Sequence, residues 1–304
     1  MAHETKLKIC SFNASGLRVK KKLRSVISVL KAGKYDIIMI QEAHLVDEDK
    51  TYLNRIWKGE YHLSGESKNS KGLLTLFSKN ITRENIELVH STDRIIISAV
   101  KNCCDKSFFI INIYASNDDN EKLIFFDEIS NLINIYFEER SDHFIICAGD
   151  FNTVHDNDLD IISGKKHRTD VVERFANLMI ENNTIDTWRH LHGDEKMHTW
   201  RRGKISRRLD YILITDELEQ YLQEADINSI GFSDHLLVSI MLNFNNFKFG
   251  RSYYKMNVSI LHDLKYVEIM KSRIPRIIDD NKNLNPNLKW EMVKIDIKEF
   301  SIVL

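Results

Sequence analysis

Six short stretches place a polar or ionisable side chain where an apolar strand begins or ends. "SFNASG" ends one strand with Asn13, "IMIQEAH" another with Glu42, and "INIYASN" a third with Tyr114 and Asn117. "CAGDFN" supplies Asp150 and Asn152, "RRLDYILIT" opens a strand with Asp210, and "GFSDHLLV" opens one with Ser233, Asp234 and His235. A carboxylate among apolar strand residues is costly unless it is paired or binds a metal. Six such interruptions at strand ends point to one shared pocket. Asp150 and Asn152 stand two apart, and on an extended chain residues i and i+2 share a face, so both can meet one bound group. Singly, each residue has a plainer reading. Asn13 with Gly16 reads as a turn, Glu42 as a surface residue, Tyr114 as an amphipathic core tyrosine, and Asp150 after Gly149 as a loop. Asp210 reads as a partner for Arg207 or Arg208, and His235 as a capped core histidine. Their occurrence together, each beside its own strand, favours the pocket.

The elements that must position these residues alternate between short strands and amphipathic helices. "KICSFN", "DIIMIQE", "LLTLFS", "RIIISAV", "FFIINIYA", "FIICAGD", "LDYILIT" and "LLVSIML" read as strands by length and β-branched or aromatic content. Leu23, Val26, Ile27 and Leu30 share one helical face, as do Val171, Phe175, Leu178 and Met179; Asn120 to Glu138 carries a longer apolar stripe. The expected fold class is α/β: two packed mixed β-sheets flanked by helices. Near residue 245 the pattern changes. We expect one domain over 1–245 and a helical segment over 246–304, with an amphipathic helix through Ile260, Leu264, Val267, Met270, Ile274 and Ile277 and a last helix from Lys289 to Phe300.

The chain has 304 residues, 43% of them hydrophobic, and a formal net charge of −1. That balance gives no global attraction to nucleic acid or membrane, so attraction to phosphate must be local. "RVKKKLR", "KKHR" and "RRGKISRR" are the basic clusters that could supply it; a solvated face is the competing reading of each. The four cysteines form no metal or redox spacing, which suits a reducing, intracellular compartment. The polar start lacks a signal-peptide core and no apolar run approaches a membrane span, so we expect no membrane partner.

The motifs "QE", "GDFN", "LDY" and "SDH", in this order, resemble the endonuclease/exonuclease/phosphatase superfamily, which includes pancreatic deoxyribonuclease, the AP endonucleases and the endonuclease domains of LINE-type (non-LTR) retrotransposons. The resemblance covers roughly residues 6–243. It implies a β-sandwich with outer helices and a divalent-metal phosphoesterase site at its top. Carried over by motif, Glu42 is the principal metal ligand, with Asn13 and Asp234 supporting the metal or its surroundings. Asp150 positions or deprotonates the attacking water, Asn152 holds the scissile phosphate, and Tyr114 hydrogen-bonds a phosphate oxygen. Asp210 orients His235, which contacts or protonates the phosphoryl group. Whether Asp150 or the Asp210–His235 pair is the general base stays open. Carboxylates and amides form a hard oxygen site suited to Mg²⁺ or Mn²⁺. AP endonucleases carry an acid two positions after the first Asn; this chain has Ser15, which argues against an AP-site repair enzyme.

The tail resembles the segment that precedes the reverse transcriptase in LINE-type second open reading frames. Tyr254, Lys255, Asn257, Leu261, Asp263, Tyr266, Val267, Trp290, Glu291, Lys294, Ile297 and Phe300 carry that likeness. No polymerase motif follows before Leu304. The implied activity is a Mg²⁺-dependent DNA-nicking endonuclease of retrotransposon origin that leaves a 3′-hydroxyl for target-primed reverse transcription. Its partners would be double-stranded DNA and, in a full-length parent, a reverse transcriptase domain and element RNA; nuclear access follows from a DNA substrate. Arg201, Arg202, Arg207 and Arg208, with Thr199, are the expected substrate contacts. A phosphomonoesterase or phosphoinositide phosphatase, an AP endonuclease-like nuclease, and a non-catalytic domesticated DNA-binding module are the alternatives on the same fold.

Overall fold

The structure, a computed structural model, describes residues 6–65, 71–140, 142–245, 264–282, 289, 290, 292–294, 296 and 297. The strands among them are β1 (Lys6–Asn13), β2 (Ile37–Gln41), β3 (Tyr61–Leu63), β4 (Leu74–Phe77), β5 (Ile86–Ser91), β6 (Ile95–Cys103), β7 (Lys106–Tyr114), β8 (His143–Asp150), β9 (Ile161–Ser163), β10 (Thr184–Asp186), β11 (Trp200–Arg202), β12 (Ile205–Arg207), β13 (Asp210–Thr215), β14 (Leu222–Asn228) and β15 (Leu237–Asn243). The α-helices are α1 (Lys20–Ala32), α2 (Lys50–Ile56), α3 (Asp119–Glu139), α4 (Thr169–Glu181), α5 (Thr187–His192) and α6 (Leu264–Asp280). All eight strands expected from the apolar runs are present. The remaining ones are short or half-exposed, so their side chains alternate too weakly to read as strands.

Contacts divide the chain into two compact units, Met1–Asn245 and Asn246–Leu304. The first holds two mixed six-stranded sheets. One runs β14-β15-β1-β2-β4-β3, the other β10-β13-β8-β7-β6-β5; β11-β12-β9 form a separate small sheet. The β1–β2 and β7–β8 pairs are parallel. The second unit contains α6 and an Arg273–Asp296 ion pair. Tyr254, Lys255, Asn257, Leu261, Asp263, Glu291 and Phe300 lie outside the described residues. Among the described residues no helix is long and apolar enough to cross a membrane.

Three apolar layers hold the first unit together. Leu23, Val26, Ile27 and Leu30 of α1 pack on Cys10, Phe12, Ile38 and Ile40, the outer face of the first sheet. Phe126 and Ile129 of α3, with Phe175 and Leu178 of α4, cover Phe109, Ile111, Cys147 and Leu213 on the outer face of the second. Between the sheets lie Leu7, Ile9, Ile37, Met39, Phe108, Ile110, Ile146, Ala148, Ile212 and Ile214. α3 starts where Asp118 accepts the backbone N–H groups of Asn120 and Glu121, a cap of the kind typically worth about 1 kcal/mol.

The inter-sheet layer changes character along the strands. Because side chains alternate, the inner rows read Leu7, Ile9, Ser11, Asn13 on β1; Ile37, Met39, Gln41 on β2; Phe108, Ile110, Asn112, Tyr114 on β7; Ile146, Ala148, Asp150 on β8; and Ile214, Ile212, Asp210 on β13. Each row is apolar at one end and polar at the other. Gln41 ties the polar ends of the two sheets together, donating to Ser11 Oγ (3.0 Å) and Asn112 Oδ1 (2.8 Å). This buried amide network marks the floor of the site.

Candidate active site

Strand register brings the expected residues together. Tyr114 pairs with Asp150 across β7–β8, Asp150 with Asp210 across β8–β13, and Asn13 with Gln41 across β1–β2. Glu42 follows β2 directly. Gly149 answers for the sharpness of the strand end: at φ +155°, a Cβ there would stand 1.9 Å from the Ile113 carbonyl oxygen. No other residue lets β8 pack this closely on β7. Glu42, Ser15 and Asn152 also have positive φ, +47°, +44° and +48°. Such backbone costs of order 1–3 kcal/mol at a non-glycine residue and gathers at functional sites.

Asn13 is the hub. Its Nδ2 donates to Asp150 Oδ2 (2.9 Å) and Glu42 Oε1 (3.3 Å), while its Oδ1 accepts the Ser15 N–H (3.0 Å). It therefore fixes two carboxylates beside each other, and its own oxygen is taken. Asp150 Oδ1 accepts the Asn152 N–H (2.9 Å). Asn152 in turn donates one amide hydrogen to the Ala115 carbonyl (2.8 Å). Buried Lys122 holds the same turn by donating to the Asn152 carbonyl (2.9 Å).

His235 bridges the two buried carboxylates. Its Nδ1 lies 2.9 Å from Asp210 Oδ2, and its Nε2 lies 3.8 Å from Asp150 Oδ2. Burial would lower the imidazolium pKa, but the charge of Asp210, then that of Asp150, overrides it and pushes the group up to about 10. Asp150 is pushed up to about 7 by burial first and by Asp210 second. A positively charged imidazole thus stands between two buried carboxyl groups, of which Asp150 lines the cleft.

The rim completes the cleft, a volume of about 600 Å³. Glu42 Oε2 meets Lys71 Nζ at 3.0 Å, and burial, which would raise its pKa, is outweighed by the Lys71 and Asn13 bonds, so the carboxyl is held below its usual range. Tyr114 stands beside Glu42, its phenol pKa raised by burial and then by the Glu42 and Asp150 charges. Asp234 accepts from Ser15 Oγ (3.0 Å) and Trp200 Nε1 (3.0 Å). Ser15 thus joins Asp234 to the end of β1. Lys71, Lys122, Trp200, Lys166 and Arg168 also line the cleft. Lys71, Lys122 and Trp200 carried no signal in the sequence beyond being single basic or aromatic residues outside the motifs. Lys166 and Arg168 belong to the "KKHR" cluster.

The basic cluster at "RRGKISRR" is a β-hairpin, β11 to β12. Alternation splits its arginines. Trp200, Arg202, Ile205 and Arg207 share one face, and of these Trp200, Arg202 and Arg207 line the cleft. Arg201 sits on the other face and is exposed. Two expected substrate contacts are corrected. Arg208 is fully buried, 2.8 Å from Asp160 and 2.6 Å from Asp186, so it is not available to a substrate. Thr199 is fully buried as well and donates to Asp210 Oδ2 (2.6 Å), so it positions the carboxylate from below.

The donor set fits a divalent cation. Four carboxylates, Glu42, Asp119, Asp150 and Asp234, line the cleft, and Asp210 stands 2.9 Å from His235 beside them. Asp150 and Asp210 bring one carboxylate oxygen each within 4.8 Å of one another, beside His235. Glu42 lines the cleft with Oε1 accepting from Asn13 and Oε2 from Lys71. Oxygen donors of this kind suit a hard ion.

Residues 10–235 match the endonuclease/exonuclease/phosphatase family. The chain is 26% identical over 299 residues to the Xenopus laevis "Transposon TX1 uncharacterized 149 kDa protein"; the match covers 96% of this chain but only 22% of that protein's length. It is 24% identical over 261 residues to a Bacillus subtilis exodeoxyribonuclease, covering 78% of this chain and all of that protein. In structure it resembles the AP endonuclease of Leishmania major, with a TM-score of 0.68 at 16% identity over 79% of this chain and 88% of that one. The match across residues 10–235, on a fold of two mixed sheets flanked by helices, shows that this chain belongs to the endonuclease/exonuclease/phosphatase family.

Proposed function

We propose that this chain is a Mg²⁺-dependent DNA-nicking endonuclease of retrotransposon origin, whose cut leaves a 3′-hydroxyl able to prime reverse transcription. The observation that carries this reading is the Asp210–His235–Asp150 alignment on the floor of a cleft whose rim is cationic. Asp210 accepts the His235 Nδ1 proton and thereby aims Nε2 toward Asp150 and the cleft. A positively charged His235 suits a phosphoryl oxygen or a leaving oxygen better than it suits a base. Asp150, held by Asn13 and Asn152 and raised by burial, is then the group that orients and deprotonates the water. Asn152 retains a second amide hydrogen for the scissile phosphate. Tyr114 supplies a hydroxyl beside Glu42. Glu42 would hold the metal, with Asn13 and Asp234 supporting its surroundings; a bound divalent ion supplies positive charge to the phosphoryl oxygens.

The transposon likeness supports a retrotransposon source over a repair nuclease, because it extends over 96% of this chain and so takes in the tail, whereas the exodeoxyribonuclease match covers 78%. Ser15 points the same way. A reverse transcriptase and element RNA as partners in a longer parent, and access to nuclear DNA, belong to this proposal. Nicking of supercoiled plasmid with Mg²⁺ or with chelator, run beside phosphate release from small phosphomonoesters, tests it. We expect Mg²⁺-dependent nicked circles whose ends a DNA polymerase extends directly, with no phosphate release. Phosphate release without nicking would make the chain a phosphatase of the same family.

A further inference from the structure

At the other end of the sandwich lies a second cleft of about 800 Å³, larger than the catalytic one. It opens where β1 begins, so it is about 23 Å from Asn13 along that strand. Lys6, Lys8, Lys31, Lys34, Lys58 and Lys79 line it. Asp36 is the one acidic residue among its lining. Its carboxylate is already engaged by the Lys8 N–H (2.9 Å), the Ser78 hydroxyl (3.2 Å) and the Asn80 amide (3.3 Å).

Three of the lysines are held, but by neutral groups. Lys8 Nζ sits 5.0 Å from the centre of the Tyr35 ring and Lys31 Nζ 5.7 Å from that of Trp57. Lys31 also donates to the Ile56 carbonyl, and Lys58 to the Asn54 carbonyl (3.0 Å). Among the described residues none of the six forms an ion pair with a carboxylate within 4.0 Å. Rings and carbonyls orient an ammonium group without cancelling its charge. The C-terminus of α1 accounts for a local preference for Lys31 and Lys34. It does not account for Lys6, Lys8, Lys58 and Lys79, which come from three other segments. In a chain of net charge −1, gathering six cations that no described carboxylate pairs in one concavity costs self-repulsion, which a polyanion would relieve.

We propose that this cleft is a second nucleic-acid site, which takes the phosphates of a single strand other than the one cut. Its lining sets lysines beside the Tyr35 and Trp57 rings, as grooves that track a single strand combine cations with aromatic walls. The site is independent of catalysis, so its test is a binding measurement. A short labelled oligonucleotide without base pairing, as DNA and as RNA, is titrated in chelator by fluorescence anisotropy over a range of salt. The protein is Arg202→Ala/Arg207→Ala, which weakens the catalytic cleft. We expect retained binding in that background. Adding Lys34→Gln, Lys58→Gln and Lys79→Gln should weaken it at least tenfold and make the log–log salt slope shallower by about 2, near the single-strand value for three lost contacts. The matching Lys→Arg variant should bind as before, and plasmid nicking by the lysine variants in the otherwise unaltered protein should keep its rate. Unchanged affinity and slope after the Gln substitutions would overturn the proposal. So would binding that disappears with Arg202 and Arg207 alone. A preference for RNA or for DNA identifies which strand the site serves.

Discussion

Two buried charge clusters sit next to each other on β13 and its approach, and they are built differently. Arg208 and Arg189 face Asp160 and Asp186: two cations against two carboxylates, with the Tyr211 hydroxyl donating to the Arg208 carbonyl (2.8 Å). Asp186 and Asp160 keep Arg208 charged against a burial that would lower its pKa. That cluster balances itself beneath the surface. Two residues on, Asp210 belongs to a trio with Asp150 and His235 in which one imidazole serves two carboxyl groups, and Asp150 and His235 open on the cleft. A closed cluster gives the fold its geometry. An open one presents its groups to whatever enters the cleft.

Substitution should separate the two sharply. In the open cluster we expect Glu42→Ala and Asp150→Ala to abolish nicking while the melting temperature stays near that of the parent. Asp210→Ala and His235→Ala should each slow single-turnover nicking by roughly 10²–10⁴-fold. The double variant should lose little more, because Asp210 acts through His235. Additive losses in that double-mutant cycle would break the pairing, and near-normal nicking by Asp150→Ala would break the site.

The closed cluster should show the reverse. Arg208→Ala leaves Asp160 and Asp186 buried with less cationic charge, a loss of the kind that costs about 3–5 kcal/mol. Urea unfolding is the measurement, and Arg208→Met, which fills the space, should be less harmful than Arg208→Ala only if Asp186→Leu accompanies it. An Arg208→Ala protein of normal stability that no longer nicks would move Arg208 into the active site.

The sequence made one of these clusters visible and hid the other. Asp150, Asp210 and His235 stand out because each interrupts an apolar run at a strand end, where period-two alternation already says which face it joins. The eight main strands and the helical faces through Leu23 and Phe175 were legible for the same reason. Asp160 and Asp186 sit in polar stretches where an acid is ordinary, so nothing in their surroundings announces a buried partner for Arg208. The hairpin from Trp200 to Arg207 was hidden by its charge, since three-residue strands in a basic run have no apolar alternation to detect. Arg208 looked like its neighbours because burial of a cation is decided by contacts more than twenty residues away.

The hairpin presents Arg202 and Arg207 to the cleft. Neutralising Arg202 and Arg207 together should leave catalysis at saturating DNA intact and weaken duplex binding. Each lost phosphate contact lowers the log–log salt slope by about 0.9, so the pair should lower it by about 1.8. A slope unchanged within error would make both arginines part of a solvated face.

The smallest effect is expected one residue away, at Arg201. It belongs to the same basic run as Arg202 and carries the same charge, so a reading by charge alone makes the two equivalent. Strand pairing does not. Arg201 faces Ser206 across the hairpin, and Arg202 faces Ile205 on the side that carries Trp200 and Arg207. Arg202 lines the cleft, whereas Arg201 is exposed outside it. Its backbone N–H donates to the Asp234 carbonyl (3.2 Å), a contact that any side chain preserves. Arg201→Ala should therefore change stability by less than about 0.5 kcal/mol, as exposed substitutions away from special features do, and leave the salt slope of duplex binding within about 0.3 of the parent, well short of one phosphate contact. Measured side by side, Arg201→Ala and Arg202→Ala decide whether DNA reads the face of this hairpin or only its charge. Equal losses from the two would mean that the hairpin turns over, or that the duplex passes along its edge and meets both faces.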